Sequence, residues 1–266
     1  MLTRTLTAFV LAVIGVPAVI YGGIFFWLFM ATFVTIAAWE YTKLMRGANF
    51  EPQVVLTIVG VLGLFTVRTR YPEYSEAALT GLVLLAMGLH LLAFERGRDQ
   101  AAGDFAITVT GLVYMGWIGS YLVKLRELPG GLFWFLLVLP SVWFADSGAY
   151  LVGKNIGKHK LAPRLSPKKT WEGYFGGILF GVLAGMLFAW LWRNNISVTL
   201  LNGAVIGFFM ATLTTLGDLG ESMIKRQAGM KDSSHILPGH GGIFDRIDTW
   251  LWGSALGYYL ISWFFL

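Results

Sequence analysis

The sequence predicts an all-α, polytopic integral membrane protein of about nine transmembrane helices. Three observations point there. Of 266 residues, 56% are hydrophobic and only 13% charged, against about 25% charged in an average soluble domain, and mean hydropathy is +0.66. The apolar residues gather into runs of roughly 20, the length a helix needs to cross a ~30 Å hydrocarbon core at 1.5 Å per residue. The 33 glycines are dispersed without a period, which excludes collagen and suits membrane helices that pack through small residues.

Taken in order, Arg4 precedes an apolar run from Leu6 to Ile20. A signal peptide would show a small-residue cleavage site opening onto a polar sequence, yet Tyr21 to Ala38 is apolar again, so spans are expected near 5–21 and 22–40. Charged or Pro/Gly punctuation sets further spans near 53–67, 76–94, 105–122, 131–152, 172–192, 198–218 and 250–266. Orientation follows from the basic residues. Arg4, Lys43, Arg46, Arg96, Arg98, six residues in 154–169 and four in 225–246 fall on one side, fifteen of the 20 in all. Arg68, Arg70, Lys124, Arg126 and Arg193 fall on the other. Cytoplasmic loops accumulate Lys and Arg, so the N-terminus is expected in the cytoplasm and, for an odd span count, the C-terminus outside. Residues 1–140 read as N-terminal transmembrane helices poor in internal polar groups. Residues 141–266 read as the functional transmembrane region, with two dense polar stretches on the cytoplasmic face. With no cysteine, disulfides, thiolate metal sites and cysteine nucleophiles are excluded, which leaves oxygen ligands as the metal chemistry.

The first polar stretch runs through Ala145-Asp-Ser-Gly-Ala-Tyr150, then Lys154 to Lys160, then Ser166-Pro-Lys-Lys-Thr-Trp-Glu-Gly173. Asp146 lies inside an apolar run, where a carboxylate marks a polar cavity by default, although at a helix end near the interface it costs little. Lys154, Lys158, Lys160, Arg164, Lys168 and Lys169 are denser than topology alone requires and suit nucleotide phosphates or anionic head groups. Ser166 to Glu172 resembles a capped helix start, where free N–H groups and the helix dipole favour an anion. No G-x-x-x-x-G-K-[ST] motif occurs, so a P-loop has no support.

The second stretch is denser. Asp218, Glu221, Ser222 and Lys225 recur at helical spacing on one face, as do Asp245 and Asp248. Two such faces separated by a Gly/Pro turn suit a hard cation such as Mg²⁺, which takes oxygen ligands and keeps positions for substrate phosphates. Local ion pairs, Glu221 with Lys225 for instance, would account for one pair but not for four carboxylates beside a bilayer. The Gly239-His240-Gly241-Gly242 turn lets backbone pass close to phosphate or metal.

The run Ser222 to Asp248, with Asp218-Leu-Gly-Glu221 before it and the two upstream motifs, resembles the signature of the phosphatidate cytidylyltransferases, the bacterial CDP-diacylglycerol synthases. The resemblance covers roughly residues 141–250. It implies Mg²⁺-dependent transfer of CMP from CTP to phosphatidic acid at a cytoplasm-facing polar cavity, in a multi-span homodimer of the bacterial inner membrane, with one cation or a pair. Carried over, Asp218, Glu221, Ser222, Asp245 and Asp248 hold metal. Asp218, Asp245, Asp248, Lys225 and Arg226 carry the chemistry. Asp146, Lys154, Lys168, Lys169, Lys231, His240 and Arg246 bind substrate. A polyprenol kinase or archaeal lipid cytidylyltransferase would share the metal scaffold with another acceptor. A CDP-alcohol phosphotransferase is excluded by the absence of D-x-x-D-G-x-x-A-R, and an ion-coupled transporter is disfavoured by the absence of inverted repeats. Nothing in the sequence points to nucleic acid.

Overall fold

The computed structural model describes residues 2–239 and 241–266; His240 lies outside the described residues. Among the described residues most are helical, and the strands form one two-stranded hairpin. Helices α1 (Leu2–Tyr21), α2 (Gly23–Gly47), α3 (Val54–Arg70) and α4 (Ser75–Glu95) are followed by α5 (Ala101–Gly111). The last continues through a π-helical segment, Leu112–Ile118, into α6 (Tyr121–Arg126). Helix α7 (Gly131–Ile156) leads into strands β1 (Lys160–Ala162) and β2 (Ser166–Thr170), then α8 (Trp171–Trp192), α9 (Leu200–Gln227) and α10 (Phe244–Phe264).

Among the described residues, six helices are long and apolar enough to cross a membrane: Gly23–Gly47, Pro72–Glu95, Ala101–Arg126, Gly131–Ile156, Trp171–Trp192 and Leu200–Gln227. The all-α polytopic class is therefore as expected. The remaining three expected spans are helical but weaker. Helix α3 has 17 residues, the apolar part of α1 is Thr5–Tyr21, and α10 opens with Asp245, Arg246 and Asp248 and is diluted by Trp, Tyr, Gly and Ser. Large apolar side chains such as Leu84, Leu85, Leu91 and Leu92 on α4 face outward. In water such a surface would be unfavourable, whereas lipid tails solvate it.

The chain divides into two compact units. The first comprises Met1–Val123 and Ile224–Ile247. Its core holds Phe26, Met30, Val34, Leu44, Leu64, Phe65, Leu112 and Met115, all essentially inaccessible. Polar ties run through it: Asp104 accepts from the Glu51 backbone N–H at 2.8 Å and from Arg98 Nε at 2.7 Å. That hydrogen bond holds the Arg98 guanidinium above its ordinary pKa. Arg68, buried, donates to Ser120 Oγ at 2.9 Å and lies 3.4 Å over the Trp117 ring.

The second unit comprises Lys124–Met223 and Asp248–Leu266. Here glycine and alanine set the helix spacing. Gly181 and Gly185 of α8 face Gly207 and Gly203 of α9 so closely that a Cβ at Gly207 would strike the Gly181 carbonyl oxygen, and one at Gly203 the Gly185 oxygen. Where lipid is as apolar as the side chains, such van der Waals contact between backbones is the main source of helix association. The hairpin pairs Lys160 with Thr170 and Ala162 with Ser166. Its last residue, Thr170, caps α8 by accepting from the Gly173 N–H at 3.1 Å. A leucine at Gly207 is expected to lower the thermal unfolding midpoint of the detergent-solubilised protein by several degrees, from about 1–3 kcal/mol of overpacking. Gly88→Leu, at an α4 position with open space around it, should change stability by no more than about 0.5 kcal/mol.

Candidate active site

Two clusters of ionisable groups lie on the residues singled out by sequence, one in each unit. In the second unit, Asp218 and Glu221 of α9 and Asp248 of α10 place a carboxylate oxygen each within 4.8 Å of one another. Helical spacing puts the first two on one face of α9. What brings Asp248 to them is Gly217. A Cβ there would meet Trp252 Cδ1 at 2.6 Å and the Asp248 carbonyl oxygen at 3.0 Å, so only glycine lets α10 pack this close. Glu221 and Asp248 are buried, and Asp218 is half-buried. Ser222, also buried, directs its hydroxyl at Asp218 Oδ1 at 3.4 Å.

Three carboxylates this close repel strongly where little water screens them. One positive charge is supplied by Lys169 of β2, whose Nζ lies 2.6 Å from Asp218 Oδ2. Asp146 of α7 lies within electrostatic range of both Asp218 and Lys169. The donor set fits a hard divalent cation: it consists of carboxylate oxygens only, and three such ligands would leave positions for phosphate or water.

The hairpin that carries Lys169 is firmly seated. Thr170 packs against Gly153 and Gly157 at the end of α7, and Trp171 N–H donates to the His159 carbonyl at 2.9 Å. Glu172, in the first turn of α8, accepts from the backbone N–H of Lys158 at 3.1 Å and of His159 at 3.2 Å, and meets His159 Nδ1 at 2.6 Å. Lys154 and Lys168 are exposed on either side of this tie.

In the first unit, Lys225 Nζ lies 2.7 Å from Asp245 Oδ1, with both side chains largely buried. Asp245 Oδ2 accepts from the Ser233 N–H at 2.9 Å, the Ser233 hydroxyl at 2.9 Å and the Gly242 N–H at 2.7 Å. Arg226, Lys231 and Arg246 are exposed, and Arg226 also donates to the Met230 carbonyl at 3.0 Å.

The Cytidylyltransferase family model matches residues 2–264. The chain belongs to that family. Curated relatives span nearly its whole length. A phosphatidate cytidylyltransferase of Pseudomonas aeruginosa is 38% identical over 254 residues, covering 92% of this chain and 91% of its own. One from Synechocystis is 32% identical, covering 94% of each. One from Staphylococcus saprophyticus is 32% identical, covering 94% of this chain and 95% of its own.

In this cytidylyltransferase-family chain, then, three of the five expected metal ligands come together, Ser222 stands beside them, and Asp245 belongs to the lysine-paired cluster of the other unit. His240 is outside the described residues. Sequence reading missed Glu40 of α2, which is wholly buried and accepts hydrogen bonds from the segment between α9 and α10. It also gave no role to the Glu172–His159 pair. The signal for Glu40 was present: it is a carboxylate at the end of an apolar run, the criterion that marked Asp146. Adding Mg²⁺ to purified protein should raise its thermal midpoint, since three carboxylates lose their mutual repulsion. Asp248→Asn should remove most of that rise, and an equal rise in the variant would dissociate the three acids from the metal.

Proposed function

We propose that the chain is a phosphatidate cytidylyltransferase of the bacterial cytoplasmic membrane. It transfers CMP from CTP to phosphatidic acid and releases CDP-diacylglycerol and pyrophosphate. The observation that carries this reading is the meeting of Asp218, Glu221 and Asp248, with Lys169 on Asp218, in a membrane-type chain whose full-length relatives bear that name.

An oxygen of the lipid phosphate attacks the α-phosphorus of CTP, and the new P–O bond forms in line with the bond to the bridging oxygen, which leaves with pyrophosphate. No protein nucleophile is needed, because a phosphomonoester with a second pKa of about 6 is already a dianion near neutral pH. Asp218, Glu221 and Asp248 would hold Mg²⁺, and the resemblance adds Ser222 and Asp245 to that set. The chemistry Mg²⁺ supplies when bound is neutralisation and fixing of phosphate oxygens.

The remaining work falls to cations and their positioning. Lys169, seated by the hairpin, together with Lys154 and Lys168, offers charge to phosphate, and Asp146 joins this substrate-binding set. Lys225, held in place by Asp245, and Arg226, Lys231 and Arg246 serve the second polar stretch, together with His240. Two polyanions must be brought together, so charge absorption and alignment supply most of the rate. The active site faces the cytoplasm, where fifteen of the 20 basic residues are expected. The catalytic residues belong to 141–266, and the resemblance supports a homodimer.

Radiolabelled CTP, phosphatidic acid and Mg²⁺ with purified protein should yield lipid-linked CMP. EDTA should abolish the product and Asp248→Asn should lower the rate by ~10²-fold or more. Label that reaches only a polyprenol acceptor, or no lipid at all, would overturn the assignment. Because the chain has no cysteine, single substitutions test orientation directly. A membrane-impermeant maleimide should label Lys160→Cys only from the cytoplasmic side and Arg193→Cys only from the outside.

A further inference from the structure

Glu40 is a wholly buried acid to which CMP transfer assigns no role. It sits on α2 with no accessible surface. Its two oxygens face four donor groups. Oε1 takes the Ser234 hydroxyl and the Ile243 N–H, the latter at 3.1 Å. Oε2 takes the Phe244 N–H at 2.6 Å and the Ser233 hydroxyl at 3.3 Å. Among the described residues no cation pairs with it.

These donors come from both ends of the segment that joins α9 to α10. Ile243 and Phe244 lie at the start of α10, where backbone N–H groups have no partner within the helix and a negative charge is favoured. Glu40 therefore caps α10 from 204 residues away. At the other end, Ser233 touches both Glu40 and Asp245. Gly242 completes the seat. A Cβ there would fall 2.5 Å from Glu40 Oε1, and the same residue's N–H holds Asp245. Asp245 in turn holds Lys225. All of these residues belong to the first unit.

An acid is a costly choice for a purely structural tie, since burial strips the charge of water. Its chemical merit is that an ionised carboxylate is all acceptor with room for about four donors, whereas a glutamine would turn an NH₂ group toward N–H and O–H donors. We propose that Glu40 is a positioning residue for CMP transfer: it fixes Ser233, Ser234 and residues 242–244 at the start of α10, and through Ser233 and Gly242 it sets the placement of the Asp245–Lys225 pair. This rests on the cytidylyltransferase reading above.

The test compares wild type, Glu40→Gln and Glu40→Asp by hydrogen exchange and by steady-state kinetics in mixed micelles of phosphatidic acid. In Glu40→Gln, exchange within 233–247 should quicken by about tenfold or more, as for lost charge-assisted hydrogen bonds, with α3 and α4 peptides unchanged. Its kcat should fall ~10–100-fold, the scale of a misplaced catalytic group, with KM for CTP and for phosphatidic acid within about threefold. Glu40→Asp, which keeps the acceptors, should lie between wild type and Glu40→Gln in both measures. Unchanged local exchange, a rise spread over the whole chain, or a rise in KM at constant kcat would each overturn the proposal. Wild-type protein that transfers no CMP in the same assay would remove the reaction and the positioning role with it, a failure separable from exchange that still quickens at 233–247 in the variant.

Discussion

A carboxylate sunk among apolar helices has no water to complete it, and the arrangement of this chain follows from how each buried acid is satisfied. Asp104 is met by Arg98 and a backbone N–H. Glu40 is met by two hydroxyls and the start of a helix. Asp245 is met by Lys225 and the donors of Ser233 and Gly242. Asp218, Glu221 and Asp248 differ in kind, because what stands closest to them includes one another. The first three are ties that fix backbone. The last is a concentration of negative charge, the kind of donor set that could hold a metal ion.

Such a concentration requires rigid support. Helix α9 supplies two of the acids by spacing alone, but the third depends on backbone contact at Gly217, and α9 is itself held against α8 by glycines facing glycines. Where side chains gain nothing by leaving lipid, close backbone contact of this type must supply the precision that a hydrophobic core supplies in water. The basic hairpin is fixed by a different device. Thr170 and Glu172 bind the first turn of α8 back to the end of α7, so Lys169 is presented by a seated strand and not by a free loop.

Much of this was legible in the sequence because it is local. Apolar runs of helical length announced the class, the spacing of Asp218, Glu221 and Ser222 announced one face of α9, and the Ser166–Glu172 stretch announced a capped helix. The parts that could not be read are those made by distant partners. Glu40 acts on residues some 200 positions away, which no periodicity records, although its place at the end of an apolar run was a cue. Residues three apart on an α-helix differ by about 60° in direction, and each of Asp245 and Asp248 meets groups of its own unit: Lys225 and Ser233 for the first, Asp218 and Glu221 for the second. The hairpin was hidden by its lysines, which read first as charge and gave no alternation of apolar and polar positions.

The Ser233 hydroxyl stands 2.9 Å from Asp245 and 3.3 Å from Glu40, yet a hydroxyl has a single hydrogen to give. The two acids compete for it, and whatever strengthens one bond weakens the other. An acid on α2 and an acid on α10 are thus coupled through one proton donor, so that neither carboxylate can change its surroundings without the other registering it.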